Sequence, residues 1–163
     1  MHTKLRNFAN FIFLTLVFLF PTKITLAEDK SEETQQVILA LFAAFNRHDT
    51  EALVELYSEA ARIRSPGDIE PRIGREVVRE IYAGHFENIP GVHDAVQNII
   101  VEGDQGSVEF IASWDQPTDD DPNARGNLRI ASFITVKNGK IIQDITYFDR
   151  LELAEKMDIG VGE

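Results

Sequence analysis

Residues 128–149 read LRIASFITVKNGKIIQDITYFD. Two runs rich in Ile, Val, Phe and Thr flank Asn138-Gly139, and such a dipeptide between extended runs is the strongest short-range signal for a tight hairpin. Working outward, Val92 to Glu102 and Ser107 to Asp115 have the same character. Gly103-Asp104-Gln105-Gly106 and the polar stretch Gln116 to Gly126 separate these runs. Four strands are therefore expected from residue 92 onward. Upstream the apolar period changes from 2 to 3.6. Val37, Ile38, Leu41, Phe42 and Phe45 share one stripe of a helix over Thr34 to Arg47, preceded by a polar lead-in from Glu28 to Glu33. Asp49 or Thr50 caps a second helix with Leu53, Leu56 and Tyr57 on its apolar side. Ala60 to Arg64 reads as a short strand, Ser65 to Asp68 as a turn and Arg75 to Glu87 as a third helix. A short helical piece, Leu151 to Met157, follows the last strand. Helices first and antiparallel hairpins after is an α+β order, not the alternation of a parallel sheet.

The chain has 163 residues, 44% of them hydrophobic, and no cysteine. That length fits one domain with a sizeable core and no staples. Disulfides, thiol catalysis, Cys-based zinc sites and a lipidated Cys are excluded. A net charge of −11 argues against nucleic-acid binding, which relies on neutralising phosphates with a basic surface. Lys4 and Arg6, the apolar run Phe11 to Phe20, Pro21 and Thr25-Leu26-Ala27 follow the order of a secretory signal peptide. Cleavage is expected after Ala27, leaving residues 28–163 as the exported domain, periplasmic or secreted. The apolar run is shorter than the ~20 residues of a membrane span, so no membrane anchor is expected after its removal. Without residues 1–27 the charge becomes −14, which keeps a domain soluble and repels anionic surfaces.

Three ordered segments carry a family resemblance. They are Phe45-Asn46-Arg47-His48-Asp49 with Leu53 and Tyr57; Ser65-Pro66 followed by Gly74-Arg75-Glu76; and Gly139-Lys140-Ile141 running to Tyr147-Phe148-Asp149, then Leu151 and Leu153. Together they resemble the SnoaL-like branch of the nuclear transport factor 2-like superfamily, which includes polyketide cyclases and ketosteroid-isomerase-type proteins. The resemblance spans about residues 34 to 158. It implies a cone: a strongly bent antiparallel sheet, covered by three N-terminal helices, around a pocket for a small apolar or carbonyl-containing ligand. It also implies a homodimer through the sheet.

Several residues are candidates for that pocket. Strict alternation puts Ile141, Gln143, Ile145, Tyr147 and Asp149 on one face of the last strand, and Ile142, Asp144, Thr146 and Phe148 on the other. Alternation does not say which face is inside; the resemblance favours the Tyr147 and Asp149 face. A carboxylate in an apolar cavity has its pKa raised, which suits proton shuttling. Asp149 would then be the acid/base and Tyr147 the donor to a developing oxyanion. The competing reading is that Asp149, beside Arg150, makes a surface ion pair or caps the final helix. Tyr57, Tyr82, His93, Trp114 and Arg64 are candidate ligand contacts, against core or solvated roles for the same side chains. The resembling cyclases pair their Asp with a His on the preceding strand, and Ala124 to Lys137 holds none. Asp119, Asp121 and Asn123 have calcium-loop spacing, but Ala124 and Ile130 stand where that loop needs Gly and Glu, so no metal is expected. No nucleotide-binding or zinc-hydrolase motif is present, and carbonyl chemistry of this kind needs no cofactor. The residues leave two readings: a pocket module that binds a small, largely apolar ligand, or a cofactor-independent isomerase or cyclase.

Overall fold

The computed structural model describes residues 23–157. The chain runs α1 (Lys23–Asn46), α2 (Thr50–Leu56), β1 (Tyr57–Arg64), β2 (Arg72–Ile73), α3 (Arg75–Asn88), β3 (His93–Glu102), β4 (Gln105–Asp115), β5 (Arg125–Lys137), β6 (Lys140–Phe148) and α4 (Arg150–Met157). The six strands form one curled, unclosed sheet in the order β2-β1-β6-β5-β4-β3. Neighbours are antiparallel except β1 and β6, which are parallel. The α+β architecture expected from the sequence is the one observed. Most of the basic and apolar lead segment falls on residues 1–22, outside the described residues, and the expected cleavage point after Ala27 falls within α1.

The hairpin at Asn138-Gly139 forms as its sequence dictates, with φ of 53° and 69° at the two residues. Both positive values are what a two-residue turn between twisted strands requires. Asp49 caps α2 by accepting from the Ala52 backbone N–H at 3.0 Å. The α1 stripe is buried against the sheet at Val37, Ile38, Leu41, Phe42 and Phe45. The helix approaches β4 closely where Gly106 leaves room: a Cβ there would lie 2.4 Å from Ile38 Cδ1.

Two boundaries differ from the sequence reading. The polar stretch Glu28 to Glu33 is helical, not a lead-in, and it carries no apolar stripe to announce that. Tertiary hydrogen bonds hold it: Ser31 Oγ accepts from Gly103 N at 2.8 Å, and the buried Thr34 Oγ1 donates to Gly103 O at 2.9 Å. Thr34→Val should therefore cost about 1–2 kcal/mol, because the Gly103 carbonyl loses its side-chain donor. A urea titration checks this as a lower midpoint at unchanged slope. Tyr57, expected on α2, instead begins β1, where its side chain is buried.

Candidate active site in the cone

Two β-bulges determine which side chains enter the cone. On β6, Val136 pairs with Ile141 and Thr135 with Gln143, which leaves Ile142 as an extra residue. A bulge shifts the alternation by one. Ile141 before it faces the core, and Asp144, Thr146 and Phe148 after it face the cavity. The expected Tyr147 and Asp149 face is thus the outer one. On β3, Val96 pairs with Phe110 and Asn98 with Glu109, so Gln97 is the extra residue. Asp94 precedes that bulge and points inward, opposite Ala112.

These side chains meet a cavity of about 230 Å³. Phe42 and Phe45 of α1, Tyr82 of α3, Phe110 and Trp114 of β4 and Phe148 of β6 give it an aromatic wall. Leu153 and Met157 of α4 close one side. Among the described residues no Lys or Arg lines it, whereas Asp94 and Asp144 both do. The remaining titratable groups on its wall are Tyr82 and the rim imidazole His85.

Asp144 ends a buried hydroxyl relay. Tyr57 Oη donates to Asp144 Oδ2 at 2.7 Å and lies 2.8 Å from Tyr82 Oη. Tyr57 has one hydroxyl proton, already given to Asp144, so Tyr82 donates to Tyr57. Thr146 Oγ1, 2.8 Å from Ser132 Oγ, stands 3.5 Å from Asp144 Oδ1. Burial pushes the Asp144 carboxyl above the usual carboxylate range, and the hydrogen bonds from Tyr57 and Thr146 pull it part of the way back. Both phenols are pushed up, first by burial and then by the Asp144 charge, so they stay protonated at neutral pH.

Asp94 is held differently. Its backbone is clamped by Asn46, which donates from Nδ2 to Asp94 O and accepts from Asp94 N, both at 2.8 Å. The residue is 8% exposed, and among the described residues no group donates to its carboxyl. Burial raises the carboxyl to about 7.

The sequence candidates divide accordingly. Tyr82 and Trp114 line the cavity, and Tyr57 stands behind Tyr82 in the relay. Tyr147 is half-exposed on the outer face, packed edge-on to Phe133 with ring centroids 6.0 Å apart, and Arg64 donates to its hydroxyl. His93 is exposed in a separate shallow depression with His48, Ser113 and Arg125. Asp149 is exposed and caps α4, accepting from Leu151 N at 2.9 Å and Glu152 N at 3.1 Å. Asp121 uses its carboxylate on the loop backbone, accepting from Asn123 N at 2.9 Å. Asp94 is not among the sequence candidates, although it shares the parity of the apolar Val92 and Val96. That alternation was the available signal.

Gly126 leaves room for the Trp114 indole, which lines the cavity. A Cβ there would lie 2.2 Å from Trp114 Cε2 and 2.4 Å from Gln116 Oε1. The indole lies against this backbone, so Gly126→Ala should displace it and destabilise by about 1–3 kcal/mol. Trp114 is the only tryptophan, so a shifted native-state emission spectrum together with a lower urea midpoint checks the result.

Solved structures share this architecture. A protein from Jannaschia sp. CCS1, assigned as a SnoaL-like polyketide cyclase, superposes with a TM-score of 0.68 at 19% identity, over 81% of this chain and 96% of that one. IdmH from Streptomyces antibioticus, assigned as a polyketide cyclase, gives 0.64 at 23% identity, over 77% and 99%. At such identities the likeness establishes the fold alone, and chemistry must come from the site. The family model of the SnoaL-like domain matches residues 38–143. With that match over the helices and strands that build the cone, the chain belongs to the SnoaL-like domain family within the nuclear transport factor 2-like fold.

Proposed function

We propose that the protein is a cofactor-independent acid–base enzyme of the isomerase or cyclase type, acting on a small, largely apolar ligand at a carbonyl group. The observation that carries this reading is the buried Asp144, which faces the aromatic cavity with Oδ2 fixed by Tyr57 and the relay extended to Tyr82. The acid/base role that the sequence suggested for Asp149 passes to Asp144.

In this reading the ionised Asp144 takes a proton from the carbon next to the ligand carbonyl. The C–H electron pair moves into the enolate, and charge develops on the carbonyl oxygen. Tyr82 then turns its hydroxyl from Tyr57 to that oxygen, exchanging a neutral acceptor for an anionic one and gaining a charge-assisted bond. Protonated Asp144 returns the proton to another carbon of the conjugated system, and the enzyme ends as it began. The largely apolar wall strengthens these interactions relative to water.

Solvent exchange tests the reading. A β,γ-unsaturated ketone such as a cyclohexenone is incubated in D₂O with protein and followed by NMR. The wild type should exchange the carbon-bound hydrogens next to the carbonyl and move the double bond, whereas Asp144→Asn should do neither above background. Equal exchange by the two proteins would refute the role of Asp144.

Two further expectations belong with this function. The outer sheet face presents Ile100, Ser107, Phe133 and Ile145 in one register row, with Tyr147 beside them. Ile100 and Phe133 are more than half exposed, and this stripe would pair two copies. The domain would act outside the cytoplasm after removal of residues 1–27, which N-terminal sequencing of the exported form tests directly.

A further inference from the structure

The acid–base reading leaves one buried carboxyl without work. Asp94 is 8% exposed and lines the cavity, where its carboxyl oxygens keep some accessible surface and, among the described residues, accept no hydrogen bond. A largely desolvated carboxyl is costly to ionise without a partner, and one whose oxygens open onto an apolar cavity can take that partner from a ligand. The backbone clamp from Asn46 holds Asp94 at a fixed place on the wall, so its carboxyl is presented rather than left to drift.

We infer that Asp94 is the counter-ion for a protonated amine carried by the ligand, so that the cavity takes a small, apolar ammonium compound. The inference rests on the cavity reading given above and adds the ligand's charge class. Three features select a cation over a neutral donor. The cavity wall holds two carboxyls and, among the described residues, no Lys or Arg. Trp114, Phe110 and Tyr82 are among its lining residues, and aromatic rings attract a cation that sits over them. A neutral hydroxyl would bond to Asp94 but leave the desolvated charge uncompensated, whereas an ammonium N–H supplies both the proton and the charge. An anionic ligand would meet two carboxyls at close range, so carboxylate and phosphate compounds are selected against. The net charge of −11 favours the approach of cations over anions at long range.

Calorimetry on the full chain at pH 8 tests this with N,N-dimethylbenzylamine, its uncharged isostere isobutylbenzene, and benzyl alcohol. The amine should bind at least tenfold more tightly than either neutral probe, and Asp94→Asn should reduce that advantage to within twofold. Carbon-13 NMR of the wild type labelled at Asp carboxyls gives a readout that does not depend on the variant folding. At pH 6 the amine should drive one carboxyl resonance to its ionised position, and isobutylbenzene should leave it unmoved. Equal affinity of the amine and the hydrocarbon would overturn the inference while leaving an apolar binding cavity. Equal affinity of the amine and the alcohol would overturn it in favour of a simple donor. If no probe binds, the inference falls together with the cavity reading on which it rests.

Discussion

Asp144→Asn is expected to lower the rate of carbonyl isomerisation by 10²–10⁴-fold, the range that loss of a positioned general base produces. The substitution keeps the shape of the side chain and leaves Oδ1 able to accept from Tyr57, so the relay persists. What is lost is a site that can carry a proton. Initial rates measured on the two proteins over the pH range check it. Tyr57→Phe separates the base from its support. The Tyr57 hydrogen bond lowers the Asp144 pKa, so its removal raises that pKa further. The ascending limb of the pH–rate profile, which follows ionisation of Asp144, should then move to higher pH. A purely structural role for Tyr57 would reduce the rate without moving the limb.

Asp94→Asn should stabilise the protein at pH 8 and change little at pH 4. Burial raises the folded-state pKa of Asp94 from 3.8 to about 7, so between those values the folded state holds a proton that the unfolded state has released. Stability therefore falls as pH rises from about 4 to about 7 and levels off above. At 1.36 kcal/mol per pH unit, the span corresponds to about 4 kcal/mol. The amide carries no charge to desolvate, so the variant lacks this descent. Urea titrations at pH 4 and pH 8 on both proteins check the difference. A variant no more stable than the wild type at pH 8 would mean that Asp94 has a partner in solution.

Much of the fold was legible in local chemistry. The Asn138-Gly139 turn, the Asp49 cap and the apolar stripe from Val37 to Phe45 each act within a few residues, so spacing alone announces them. The candidate site was legible in part. Tyr82 and Trp114, two of the candidate ligand contacts, line the cavity, and Tyr57 stands behind Tyr82. Asp149 stands at a strand end, where an acid/base role and a helix cap compete, and the cap is what forms. The resemblance favours the Tyr147 face, and strict alternation ties Tyr147 to the buried Ile141; the extra residue at Ile142 breaks that tie and turns Tyr147 outward.

The sequence by itself determined the α+β order, the hairpin register at Asn138-Gly139, the absence of thiol chemistry and the acidic charge, because these depend on composition or on neighbours along the chain. Only the tertiary structure decided that Asp94 and Asp144 share one apolar cavity and that Tyr57 and Tyr82, 25 residues apart, form a relay to Asp144. The reason is physical. A bulge is set by the fit of one strand to its partner, and it inverts the facing of every residue beyond it on that strand. The facing of Asp144 therefore depends on how β6 fits β5.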